Sequence, residues 1–166
     1  FWPEPDWQEK RGERSPYALA QDRSAYDLKA IHKAALLASE RDSKNRSALH
    51  AGLKNEDASI RYWSVMGLYM LSAEEIKDSL ESIRPLLNDQ SASVSITAAR
   101  VLGQFGTPGD VDAALDLLIE YANLETHGVY QTMFALNAMD AMDHSSPRIK
   151  EHAENMAKAH TSVPNA

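Results

Sequence analysis

Cysteine is absent from the 166-residue chain. Disulfides, thiolate metal sites and cysteine nucleophiles are therefore excluded, and the redox compartment is left undetermined. A basic excess is missing too, because 17 Lys and Arg stand against 24 Asp and Glu, for a net charge of −7. Without clustered cations there is no electrostatic footprint for a phosphate backbone, and nucleic acid is disfavoured as a partner. No apolar run approaches the roughly 18 residues that a membrane helix needs, so no membrane insertion is expected. The start, Phe1-Trp2-Pro3-Glu4, has neither an initiator Met nor a signal-peptide pattern, and it reads as a piece cut from a longer protein. Gly103, Gly106 and Gly109 follow no strand pattern, which argues against a phosphate-cradling loop.

What is present is helical. Hydrophobic residues make up 43% of the chain but aromatics only 7%, and a composition rich in Ala and Leu suits close-packed helices better than sheets. The fold class expected is all-α. The length suits one domain that buries roughly 70% of the surface its unfolded chain exposes. One pattern is also written twice. Leu53, Asn55, Asp57, Ile60, Leu68 and Leu71 recur as Leu87, Asp89, Ser91, Val94, Leu102 and Phe105, each 34 positions later. A fixed period of this size marks supersecondary units that cannot bury an apolar face alone and therefore stack.

Residues 1–26 read as an extended N-terminal arm broken by Pro3, Pro5, Gly12 and Pro16. Its aromatics, Phe1, Trp2, Trp7 and Tyr17, suit either an arm folded back on the helices or a segment that packs on another body. From Asp27 the helical period sets in, with Leu28, Ile31, Ala35 and Ala38 as one stripe. A short helix through Ala48, Leu49 and Leu53 follows. Asp57 then caps a helix whose expected inner face is Ile60, Trp63, Gly67, Leu68 and Leu71. Ser72-Ala73-Glu74-Glu75 is a capping-box pattern ahead of Ile76, Leu80, Ile83 and Leu87, with Pro85 either kinking that helix or opening another at Ser82. After Val94, Ala98, Val101, Leu102 and Phe105, Gly106 ends a helix and Thr107-Pro108 begins the next, carrying Val111, Ala114, Leu115, Leu118 and Ala122. Val129, Met133, Leu136 and Met139 define a seventh helix, and Ser146-Pro147 opens an eighth with Ile149, Ala153 and Met156 inward. Eight helices in about four antiparallel pairs result, over residues 27–166.

The turns Asn55 to Arg61 and Asn88 to Val94 resemble the acidic turn and following aliphatic position of HEAT-like repeats, which implies a short α-α superhelix. The third turn, Glu120 to Val129, departs from the pattern by about three inserted residues. A narrower resemblance is carried by Ser15-Pro16-Tyr17 with Asp22, Tyr26 and Ile31, by Arg61-Tyr62-Trp63 with Gly67-Leu68, and by Ala135 to Asp140. In order and spacing these strings are similar to the helical region that follows the catalytic domain of some bacterial sulfatases. That resemblance implies a parent that is a periplasmic or secreted, calcium-dependent sulfate-ester hydrolase, with this chain as its non-catalytic C-terminal part. The Cys/Ser-x-Pro-x-Arg motif from which such enzymes make their nucleophile is absent: Ser145-Ser146-Pro147 and Ser162-Val163-Pro164 are followed by Ile149 and Ala166 at the arginine position.

No catalytic constellation emerges. Asp140 and His144 are spaced for chelation on a helix, but a histidine at a helix end is more simply a cation satisfying the last carbonyls, so no metal site and no cofactor are expected. Glu74-Glu75 and Asp110-Asp112 complement helix starts, and Met133, Met139, Met142 and Met156 read as core filler. Trp63 is assigned to the core face. Arg61, Tyr62 and Tyr69 then point to a flank or outward, as interface anchors do. With Trp2, Trp7 and Tyr17 they form the candidate interface, whose partner would be the catalytic domain of a parent enzyme or another protein. Two other readings stand beside it. One is a free-standing scaffold that binds a peptide. The other is a small-molecule-handling enzyme on a HEAT-like scaffold, which would need Asp140 and a perturbed histidine in one pocket.

Overall fold

The computed structural model describes residues 10–22, 25, 27–142, 147, 149–151, 154 and 155, and among these every regular element is a helix. The α-helices are α1 (Pro16–Gln21), α2 (Leu28–Ser39), α3 (Arg46–Gly52), α4 (Ala58–Tyr69), α5 (Ala73–Lys77), α6 (Leu80–Ile83), α7 (Ala92–Phe105), α8 (Pro108–Tyr121) and α9 (Leu124–Asp140). Short 3-10 turns occupy Ser43–Asn45 and Arg84–Asn88. Two rows result. In the front row α2, α4, α7 and α9 lie side by side, and behind them run α3, the broken stretch from α5 through Arg84–Asn88, and α8. Each front helix and the one behind it share a core that includes Leu49, Leu68, Ile83, Val101, Leu102 and Leu118. Burying each such side chain contributes about 1.5–3 kcal/mol.

The ends of the helices are decided locally. Asp57 accepts from Ser59 N at 2.7 Å, and Ser72 with Glu75 closes the expected capping box. Thr107 forms a second box with Asp110, with Pro108 in the first helical turn where a missing N–H costs nothing. The 34-residue period extends further than the apolar pattern suggests. Asn55, Asp89 and Asn123 each accept from the backbone N–H two residues on, at 2.9, 2.9 and 3.0 Å. The turn before α9 thus carries the same Asx turn at the same spacing, and no residues are inserted ahead of it. The irregularity comes later, at Gly128, whose φ of 72° and ψ of 173° belong to a region open essentially to glycine alone. It divides α9 into a first turn and a main helix.

Several expectations are corrected. Pro16 does not break the chain. It sits in the first turn of α1, which Ser15 caps by accepting from Ala18 N, and Leu19 is buried. On α2 the buried positions are Ala34 and Ala38, whereas Leu28 is exposed. Pro85 kinks no long helix: α6 ends at Ile83, and the proline lies in the first turn of the 3-10 helix Arg84–Asn88, which begins later than the expected start at Ser82. On α4 the inner face is Arg61, Ser64, Val65, Gly67 and Leu68: Gly67 and Leu68 are buried as expected, whereas Arg61 and Ser64 take the inward places expected of Ile60 and Trp63. Small residues on that face let the back row approach closely. A Cβ on Gly67 would lie 2.6 Å from Leu49 Cδ2, and one on Gly52 of α3 would lie 2.1 Å from Ser64 Oγ. Ile60 and Trp63 are displaced to a half-buried flank. On α9 the buried set is Thr132, Ala135, Ala138 and Met139, and Val129 and Met133 face outward. Of the eighth helix, residues 147, 149–151, 154 and 155 are helical, and Ile149 packs on the core.

Candidate functional site: an arginine among aromatics on the front row

Four arginines lie between residues 46 and 137, and three of them hold one repeat to the next. Arg46 pairs with Asp78 at 3.3 Å. Arg84 forms two bonds to Asp110, from Nε at 2.6 Å and from Nη2 at 3.1 Å, and also pairs with Glu81. Those bonds from Arg84, helped by Thr107 and opposed by burial, hold the Asp110 carboxyl well below the usual carboxylate range. The most enclosed pair is Arg61–Asp89. Nε and Nη2 donate to the two carboxylate oxygens at 2.7 Å each, and Nη1 donates to the carbonyls of Asn55 and Glu56 at 2.8 Å. Arg61 is 7% exposed. The expectation that it points outward as an interface anchor is therefore corrected: Arg61 and Ser64 turn inward where Ile60 and Trp63 were expected, and the guanidinium ties the first copy to the turn that opens the second.

Arg100 is the exception. It lies on α7 at the seam with α4, half-buried, and its guanidinium carbon sits 5.0 Å from the centroid of the Tyr69 ring. Nη2 donates to Tyr69 Oη at 3.3 Å, whereas Nε is buried and has no acceptor. Among the described residues no carboxylate pairs with it. Tyr69 meets Phe105 edge-on at 6.1 Å, and Tyr62 meets Trp63 in the same way at 5.5 Å. Burial raises the Tyr62 hydroxyl above its usual value, and the positive charge of Arg100 opposes that shift. Tyr69, Phe105 and Arg100 thus form one partly open group where α4 and α7 meet, and Tyr62, about two turns before Tyr69 on α4, is half-buried and feels the charge of Arg100.

Of the candidate interface residues, Tyr69 belongs to this group, Tyr62 feels its charge and Arg61 does not belong to it. Tyr17 is highly exposed on α1, and no described contact joins it to them. Trp2 and Trp7 lie outside the described residues. Sequence reasoning missed Arg100 and took Phe105 for plain core. The available signal was a lone arginine inside the apolar string Ala98-Ala99-Arg100-Val101-Leu102.

The titratable groups singled out for chemistry are placed otherwise. Asp140 is exposed at the end of α9, and Asp143 and His144 lie outside the described residues. Burial, reinforced by Arg46, lowers the pKa of His50 on α3. Its Nε2 lies 3.1 Å from Ser79 Oγ, and Ser79 donates its own proton to the Glu75 carbonyl. The serine oxygen accordingly accepts, which selects the neutral Nε2–H tautomer. This arrangement is a link between α3 and the back-row stretch that follows, not an acid/base pair with Asp140. Among the described residues no group of His, Asp and Glu could hold a metal ion, and no helix is long and apolar enough to cross a membrane.

A family model described as HEAT repeats matches residues 46–137, more than half of the chain. The chain belongs to the HEAT-repeat family. The match begins at the first residue of α3 and ends within α9, so the HEAT units are the stacked front and back helices, with Arg61–Asp89 and Arg84–Asp110 as ties between successive units. No curated protein and no solved structure matches the chain.

Proposed function

We propose that this HEAT array is a non-catalytic interaction module that docks a protein partner along the α4–α7 seam. The observation that carries the reading is the group of Tyr69 and Phe105 with Arg100, together with the half-buried Tyr62 on the same helix as Tyr69. Half-buried aromatics beside an arginine are the residue types that dominate binding energy when a partner completes their desolvation. The stacked helices supply a rigid base for them.

The narrower part of the proposal concerns the partner. The strings at Ser15, Arg61 and Ala135, similar to the region behind a sulfatase catalytic domain, support a parent sulfate-ester hydrolase whose catalytic domain sits on this seam. A periplasmic or secreted location follows from that reading alone. Reading the gene on both sides of this chain and assaying the longer protein on an aryl sulfate ester with calcium tests it. A neighbouring Cys/Ser-x-Pro-x-Arg motif with activity supports the parent, and its absence removes it.

The docking surface itself is tested by panning a random 12-residue peptide library against the full chain. Tyr62→Ala is expected to weaken the selected binders by at least about tenfold, and Tyr17→Ala, on a separate element, should leave them unchanged. Binders indifferent to Tyr62→Ala would sink the proposal.

A further inference from the structure

We infer that the partner segment brings a carboxylate to Arg100, so that the seam recognises an acidic side chain set beside an apolar or aromatic one. The inference rests on the docking reading above and adds the chemistry of the occupant.

The first ground is the contrast among the arginines. Arg46, Arg61 and Arg84 each reach an aspartate, and the fork geometry of two parallel bonds is realised at Arg61 and Arg84. A guanidinium has five N–H donors. At Arg100 a single long bond to Tyr69 Oη and the face of one ring engage the group, and Nε is withdrawn from water without an acceptor. Nε itself is closed off, so an incoming acceptor meets the group at its terminal nitrogens, whose one bond within the described chain is to Tyr69 Oη. The second ground is charge. The chain carries a net −7, yet at this seam Arg100 has no carboxylate in ion-pair contact among the described residues. The third is the wall around it. Tyr69 and Phe105 offer apolar surface at the cation, and partial exclusion of water strengthens a charge-assisted bond there. A carboxylate suits the planar fork, because two oxygens can take two parallel N–H donors.

The probe is the strongest peptide from the library selection, measured by fluorescence anisotropy on the full chain, together with a twin in which each Glu or Asp becomes Gln or Asn. Selected peptides are expected to carry Glu or Asp next to Leu, Phe or Tyr, and the amide twin should bind about tenfold to a hundredfold more weakly. Arg100→Gln should weaken the acidic peptide by a similar factor and remove most of the difference between the twins. Arg100→Lys, which keeps the charge and loses the fork, should fall between. Thermal melts establish that each variant is folded, and the amide twin on the unaltered chain tests the idea without any variant. Peptides that need Tyr62 but lack a carboxylate, or twins whose difference persists in Arg100→Gln, would overturn the carboxylate and leave the docking surface standing. Peptides indifferent to both Tyr62→Ala and Arg100→Gln would overturn the surface as well.

Discussion

Arg61 and Arg100 occupy neighbouring front helices, and their surroundings give them opposite parts. Arg61 is enclosed by a carboxylate and two carbonyls, so its charge is balanced where it is buried. Such a pair is weak evidence for net stability, but breaking it on one side is costly because a charge is left buried without its partner. Asp89→Asn should therefore destabilise the fold by about 3–5 kcal/mol, read as a lowered midpoint in urea. Adding Arg61→Met should restore part of that loss, because the stranded charge is then gone, whereas the amide oxygen introduced by Asp89→Asn can still accept from Ser91 N. A double variant no more stable than Asp89→Asn would mean that the pair does not act through its charge. None of this was legible in the sequence. The partners stand 28 residues apart, and an arginine beside two aromatics reads as an outward anchor until the register of its helix is known.

Register is a property of the element, and on α4 it depends on what packs behind. Periodicity locates the helix and Asp57 as its cap correctly, because capping and turn chemistry act over three or four residues. The buried stripe is misread when weight is given to large apolar residues. The close side of α4 is made from Gly67, which the expected stripe includes, and from Ser64, which it does not; their smallness is what lets α3 and α2 approach. Ser64 can be buried there because its hydroxyl donates to the Ile60 carbonyl at 2.7 Å. Gly67→Ala tests the point. Its methyl would sit 2.6 Å from a Leu49 methyl and 3.1 Å from the Ala38 Cα, and the second neighbour is backbone that cannot rotate away. Ala is the better helix former by about 1 kcal/mol, yet overpacking of this kind costs about 1–3 kcal/mol. The expected outcome is a net loss of stability in urea denaturation; a gain would show that α2 and α3 shift without cost. By contrast, on α7 the expected Val94, Ala98, Val101 and Leu102 are all buried, because its first ten residues but one are enclosed by neighbours, which also buries Ser93, Ser95 and Thr97 and leaves only its last turns partly open.

Across the whole array, positions 34 apart share a turn but not an environment, which is why the period was legible and the burial of its last copy was not. Ser95, Ile96 and Ala99 are 1%, 0% and 0% exposed, and their equivalents Val129, Tyr130 and Met133 are 55%, 59% and 55% exposed. The difference follows from stacking: α7 has a front helix on each side, whereas this face of α9 has none among the described residues covering it. Arg61 shows the direction, because the same position in the first copy reaches forward to Asp89 of the next unit. In a quasi-one-dimensional array each unit contacts only its neighbours, so one substitution should have unlike effects at equivalent sites. Ala99→Met, which writes the residue of the third copy into the second, should cost about 1–3 kcal/mol by overpacking a closed site. Met133→Ala, the reverse exchange at the open site, should stay within about 0.5 kcal/mol of the parent. Urea midpoints of the two variants decide the matter. Equal losses at both positions would mean that the face of α9 is as enclosed as that of α7, and the array would then have to continue past it.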